Sequence, residues 1–261
     1  MTEFAYCTVS REDPLLVVTI NRPEVMNALH RPANLELERV FDAFAADPEL
    51  WVAILTGAGD KAFSAGNDLK YQAQGNDTTH PRTGFAGLTG RFDLNKPVIA
   101  AVNGVAMGGG FEIALACDLI IASENALFAL PEPRVGFAAA AGGLLRLPRQ
   151  IPLKHAMGII LTGRRVTAAE GVALGFVNEV APQGEALSAA RRWARQILEG
   201  SPMAVRAAKE LTRRGLDAER VEIAYREQRT YPAVKALYES EDHREGPKAF
   251  AEKRKPQWKG R

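Results

Sequence analysis

The stretch from Val98 to Ala122 constrains this chain more than any other. It is the most apolar window of the 261 residues, long enough to raise the question of a membrane span, yet it contains Asn103, Glu112, Asp118 and the run Gly108-Gly109-Gly110. Acids in mid-span are costly in lipid. The window reads instead as strand (Pro97 to Val102), glycine turn, helix (Phe111 to Ala116) and strand (Asp118 to Ala122) inside a soluble core.

Two further β-branched runs precede it. Leu15 to Ile20 ends at the turn signal Asn21-Arg22-Pro23, and Trp51 to Thr56 ends at Gly57-Ala58-Gly59. Between them, Leu35, Leu37, Val40, Phe41 and Phe44 recur at helical spacing within Asn34 to Ala46. Strands alternating with helices predict an α/β core. From about Leu187 the pattern turns wholly helical, over Ala189 to Leu198, Met203 to Arg213 and Ala218 to Gln228. The expected organisation is therefore a core over residues 1–186 and a helical C-terminal region over 187–261. Gly75 to Gly90 reads as a mobile loop, and no repeat period emerges.

A chain that is 46% hydrophobic and 25% charged is neither disordered nor collagen-like. Cys7 and Cys117 are far apart and lack metal-ligand spacing, so neither a disulfide framework nor a cysteine zinc site is expected. The N-terminus has no basic segment leading into an apolar one, so no secretory signal is expected, and a reducing cytoplasm fits. The net charge of +2 is uneven. Residues 248–261 carry six basic residues against Glu252, a local +5, which leaves the rest of the chain at −3.

Several common chemistries lack their residues. Gly57-Ala58-Gly59-Asp60-Lys61-Ala62 fits G-x-G-x-x-A, but small residues and Gly66 follow where a dinucleotide fold needs a helix. There is no G-x-S-x-G, H-E-x-x-H or P-loop, and His30, His80, His155 and His243 sit in unrelated contexts. Two backbone features say more. Phe63 to Asp68 is a small-residue turn, and Gly108-Gly109-Gly110 leads into a helix whose first N–H groups have no partner within the helix. Such donors stabilise an anion.

Two acids complete the picture. Glu112 lies in the first turn after the glycines and Glu132 twenty residues later, both beside apolar residues. Apolar surroundings raise a carboxyl pKa toward the range useful for acid or base catalysis. Each alone has a plainer reading: Glu112 as a charge at a helix N-terminus, Glu132 as a solvated loop acid.

Taken in order, Asn21-Arg22-Pro23 with Asn27-Ala28-Leu29, Ala62 to Leu69, Lys96 to Gly104, Gly108 to Glu112, Pro131-Glu132 and Gly142-Gly143 resemble the crotonase (enoyl-CoA hydratase/isomerase) superfamily over nearly the whole chain. Within it, the chain is similar to carnitinyl-CoA dehydratases and short-chain enoyl-CoA hydratases. The resemblance implies a β-β-α spiral core with a helical C-terminal region that mediates trimerisation, commonly as a dimer of trimers. It implies acyl-CoA thioester substrates, no metal, and no cofactor beyond coenzyme A in the substrate. It places an oxyanion hole at the backbone N–H groups of Asn67 and Gly109 and the catalytic carboxyls at Glu112 and Glu132. Backbone around Ala65, Gly66 and Asp68 would hold the adenine, with Lys70, Phe250 and Lys253 near the CoA phosphates.

Some residues depart from the family pattern. Pro133 follows Glu132, Glu24 stands where several relatives have a basic residue near CoA, and Phe137 to Ala141 replaces a more usual Pro- and Gly-containing or acidic segment that lines the reacting end, where Ala140 offers no polar side chain. Two other functions are weighed: a double-bond isomerase of the same superfamily, which needs one base, and a non-catalytic homologue whose basic tail binds RNA or an acidic partner. With only two aromatics, Phe250 and Trp258, and no nucleic-acid motif, the tail reads instead as a solvated tail or an intersubunit CoA contact.

Overall fold

The structure is a computed structural model and describes residues 4–261. Residues 1–3, on which part of the N-terminal leader reading falls, lie outside the described residues. In chain order the elements begin with β1 (Cys7–Glu12), β2 (Leu15–Ile20), α1 (Arg31–Ala46), β3 (Val52–Gly57), β4 (Ala62–Ser64) and α2 (Leu69–Ala73). They continue through β5 (Val98–Val102), β6 (Val105–Met107), α3 (Gly109–Ala116), β7 (Leu119–Ser123), β8 (Leu127–Ala129), α4 (Gly143–Gln150) and α5 (Leu153–Thr162). The chain closes with β9 (Val166–Thr167), α6 (Ala168–Leu174), β10 (Glu179–Ala181), α7 (Ala186–Leu198), α8 (Pro202–Asp217), α9 (Val221–Glu227), α10 (Pro232–Glu239) and α11 (Glu241–Ala251).

One sheet has the order β1-β2-β3-β5-β7-β10, and a smaller one β4-β6-β8-β9. Each of β3, β5 and β7 lies in the large sheet and is followed at once by a short strand, β4, β6 or β8, in the small sheet. A helix, or for β8 the 3₁₀ turn Glu132–Val135, comes next. These are three strand-strand-helix turns. They begin at Val52, Val98 and Leu119, so the spacing is unequal and no period is visible in the sequence.

Strand periodicity divides the core. Ala53, Leu55, Val98, Ala100 and Val102 face one apolar layer with Phe41 and Phe44 of α1, while Val52, Ile54, Ile99, Ala101 and Ile121 face another with Ala189, Ala190 and Ala194 of α7. Because both faces are covered, the central strands are continuous apolar runs, as parallel sheets require. The sequence-derived boundary at 187 thus falls just inside α7, a helix that packs on the large sheet. A separate cluster, Ala207, Tyr231 and Val234, holds α8 to α10, and Nζ of Lys209 ties α8 to the core through Asp118 (2.6 Å) and the Lys96 carbonyl (2.7 Å).

One expectation holds and one changes. Gly57 ends β3 and the chain turns into β4 with no helix opening after the glycines, as the sequence predicts. The second half of the Gly75–Gly90 loop is core: Phe85, Ala86 and Gly87 are buried, Ala86 N–H donates to Asn34 Oδ1 (2.7 Å), and Thr83 Oγ1 donates to Glu38 (2.8 Å).

Candidate active site

The connection from β4 to α2 carries four consecutive amides, and three are used inside the fold. Ala65 N–H donates to the Met26 carbonyl (2.9 Å), Gly66 N–H to Ser64 Oγ (3.1 Å) and Asp68 N–H to the Leu29 carbonyl (3.0 Å). Asn67 N–H has no acceptor among the described residues. The reason is a one-residue parallel bridge between Leu29 and Asn67: Leu29 N–H donates to the Gly66 carbonyl (2.7 Å), and the trans peptide turns Asn67 N–H the opposite way.

The corner from β6 to α3 supplies the second free amide. Gly108, at φ 53° and ψ −124°, lets the chain turn into α3, where Gly109 N–H has no acceptor among the described residues. The two segments touch closely. A Cβ on Gly66, itself at φ 85°, would lie 2.7 Å from the Gly109 nitrogen, and one on Gly108 would lie 2.8 Å from Glu132 Oε1.

The acids face the same space. Glu112, in the first turn of α3, is 3% exposed, and its Oε1 accepts the N–H of Gly143 (2.8 Å). Burial raises its pKa to about 7, against the Gly143 bond, and the neighbouring Glu132 carboxyl adds to the rise. Glu132 opens the 3₁₀ turn Glu132–Val135, and its Oε2 is buried without a hydrogen-bond partner among the described residues. Burial also raises the pKa of Glu132.

Asn67, Gly109, Glu112, Glu132, Ala65 and Ala140 all line one cavity of about 330 Å³. The other sequence-derived residues do not. Gly66 lies behind the lining, and Asp68 caps α2 through Tyr71 N–H (3.1 Å) and pairs with Arg22 (3.0 Å). Lys70 is exposed on α2, Phe250 is 87% exposed on α11, and Lys253 lies just past that helix. Glu24 is exposed in a short turn. Phe137, Ala138, Ala140 and Ala141 of the segment expected at the reacting end line the cavity, while Gln72, His80 and Phe85 line it without having been expected there. His80 was dismissed for its isolation in sequence, and only the folding of residues 69–87 against the α3 corner brings it there. Gly143 was noted as part of a motif, without its bond to Glu112.

The basic tail is also changed by folding. Arg254 pairs with Glu245 (2.5 Å) and Glu252 (2.6 Å), Lys259 with Glu241 (2.8 Å) and Arg261 with Glu241 (3.2 Å). Buried Asp242 clasps the returning chain, accepting Ser201 Oγ (2.8 Å) and Lys259 N–H (2.7 Å). Three of the six tail cations thus meet carboxylates, mostly on α11.

The family model described as enoyl-CoA hydratase/isomerase matches residues 10–261. The chain belongs to the enoyl-CoA hydratase/isomerase family. Among relatives, a carnitinyl-CoA dehydratase of Salmonella arizonae is 49% identical in an alignment that covers 97% of each chain. Among solved structures, an enoyl-CoA hydratase from Mycobacterium marinum is 40% identical with a TM-score of 0.92, covering 98% of this chain and 99% of that one. A carnitinyl-CoA hydratase from Mycobacterium avium is 41% identical with a TM-score of 0.77 and the same coverage. This member of the enoyl-CoA hydratase/isomerase family is therefore an enzyme with the crotonase fold, and the three strand-strand-helix turns are its expression here.

Proposed function

We propose that this enzyme adds water across, or removes it from, the α,β double bond of an acyl-CoA thioester, with Glu112 and Glu132 as the acid-base pair and Asn67 and Gly109 N–H as the oxyanion hole. One observation carries the reading: two carboxyls of raised pKa and two backbone N–H groups without acceptors line a single cavity. In hydration, one carboxylate takes a proton from water as its oxygen bonds to Cβ, charge moves to the thioester oxygen, and the other carboxyl delivers a proton to Cα. Dehydration is the reverse. The balance needs no oxidant, reductant or metal. Loss of one oxyanion donor in comparable sites costs about 3–4 kcal/mol of transition-state stabilisation.

At the adenine end, the Ala65, Gly66 and Asp68 amides are already bonded, and the Gly66 and Asp68 carbonyls accept Leu29 N–H and Gln72 N–H, so a contact there would use the Ala65 carbonyl. Lys70, Phe250 and Lys253 are proposed to approach CoA, the last two from a neighbouring subunit. Support for self-association is the number of large apolar side chains left exposed in the helical region 187–261, Leu216 (81%), Val221 (80%), Tyr225 (73%) and Phe250 (87%). The proposed occupant is a second copy of the chain in a trimer or dimer of trimers. Among the described residues no helix is long and apolar enough to cross a membrane, and both cysteines are buried free thiols, in keeping with a proposed cytoplasmic enzyme. Hydration of crotonyl-CoA and crotonobetainyl-CoA, followed with Glu112→Gln and Glu132→Gln, tests the reading. Wild-type turnover in both variants would overturn it, and double-bond migration without oxygen incorporation at Cβ would make the enzyme an isomerase.

A further inference from the structure

The free amide at Asn67 ends a chain of two peptide planes that starts at a guanidinium. Nη1 of Arg22 donates to the Ala28 carbonyl (2.5 Å) and to Asp68 Oδ2 (3.0 Å). The Ala28 carbonyl belongs to the peptide whose N–H, that of Leu29, donates to the Gly66 carbonyl (2.7 Å). The Gly66 carbonyl in turn belongs to the peptide whose N–H is that of Asn67. In a trans peptide the carbonyl and the N–H point in opposite directions. The relay therefore runs from Arg22 through Ala28–Leu29 and Gly66–Asn67 into the cavity.

We propose that Arg22 is a positioning residue that aims and polarises the Asn67 N–H as an oxyanion donor. The inference rests on the oxyanion reading of Asn67 given above. A cation at the carbonyl end of a hydrogen-bonded peptide draws electron density from the N–H at the other end, and successive bonds strengthen one another. Aim is set as well. The same nitrogen holds Asp68, so both neighbours of Asn67 are tied: Gly66 through Leu29 and Asp68 through Arg22 itself. Arg22 is held in turn by its own N–H on Asn27 Oδ1 (2.9 Å) and by the Tyr6 ring, 5.7 Å beneath its guanidinium. Asn27 donates to the Ala58 (3.0 Å) and Ala62 (2.7 Å) carbonyls, which fixes the Arg22 turn to the start of β4.

The test uses the full-length enzyme and cinnamoyl-CoA, whose conjugated thioester absorbs at longer wavelength as its carbonyl is polarised, with spectra taken on mixing, before turnover. Wild type is expected to shift the band. Arg22→Met is expected to lose at least about half of the shift and about tenfold in kcat for crotonyl-CoA, with KM within about twofold, since small misplacements of donors act on the transition state. Arg22→Lys, which keeps the charge, should recover most of both. If Arg22→Met does not fold, Arg22→Gln, a neutral donor, is expected to lose the shift in the same way. A folded Met or Gln variant with wild-type shift and kcat would overturn the role of Arg22 alone, whereas a wild type that leaves the band unmoved would overturn the oxyanion reading and this one with it.

Discussion

Gly143 donates its N–H to Oε1 of Glu112 over 2.8 Å, so the first residue of α4 fixes a carboxyl on α3. The bond favours the ionised form, yet burial outweighs it and leaves the pKa at about 7. Near neutrality Glu112 can therefore both take up and release a proton.

Glu112→Gln keeps an acceptor for Gly143 while removing the titratable group. Hydration of crotonyl-CoA should fall by about 10²–10⁴-fold in kcat, and likewise in Glu132→Gln, with smaller changes in KM. Steady-state kinetics of the two variants check this.

Burial of Glu112 also predicts a pH-dependent stability. Its pKa is raised on folding, so the folded state binds more protons than the unfolded state between about pH 4.5 and 7. The contribution to stability is fully present below the lower value and is lost as pH rises through about 7. Relative to Glu112→Gln, wild type should lose about 3 kcal/mol between pH 4 and pH 8.5. Urea unfolding of both proteins at the two pH values measures it, and an equal change in both would contradict the cause given.

Gly108→Ala places a methyl 2.8 Å from Glu132 Oε1 at a backbone φ of 53°. A positive φ with ψ near −124° is a sparsely populated region for a residue with a Cβ and alone costs about 1–3 kcal/mol. The displaced carboxyl should lower kcat by more than tenfold in the same assay that reads Glu132→Gln.

Asp242→Ala removes the clasp on Ser201, Lys259 and Gly260. Loss of a buried charged acceptor is expected to cost about 2–3 kcal/mol in unfolding free energy. Residues 255–261 should become protease-sensitive in limited digestion.

Val221→Asp and Phe250→Asp put charge on exposed apolar positions of the helical region. If these positions carry the proposed self-association, sedimentation should show wild type at the mass of a trimer or dimer of trimers and the variants as smaller species, and an unchanged sedimentation coefficient would remove the proposed interface.

Four of the six strands of the large sheet, β2, β3, β5 and β7, were legible because they are largely buried and read as apolar runs, whereas β1 is mostly exposed and β10 has three residues, and neither was read. The small sheet was not legible, since β4, β6 and β8 have three residues each, too few for alternation to register. The cavity acids and amides were within reach because each sits beside a glycine turn or a proline. Arg22, His80 and Phe85 were not, as their neighbours in space come from distant segments. The ion pairs of the tail were hidden for the same reason: Arg254 meets Glu245, nine residues back, only after the chain reverses.

The uneven spacing of the three strand-strand-helix turns divides labour within the enzyme. The long first turn contributes Leu69, Gln72, Thr78, His80 and Phe85 to the cavity wall, while the short second one contributes Gly108, Gly109 and Glu112. Resizing residues 69–83 is therefore expected to reshape the cavity wall while leaving the short corner between β6 and α3, with Gly109 and Glu112, in place.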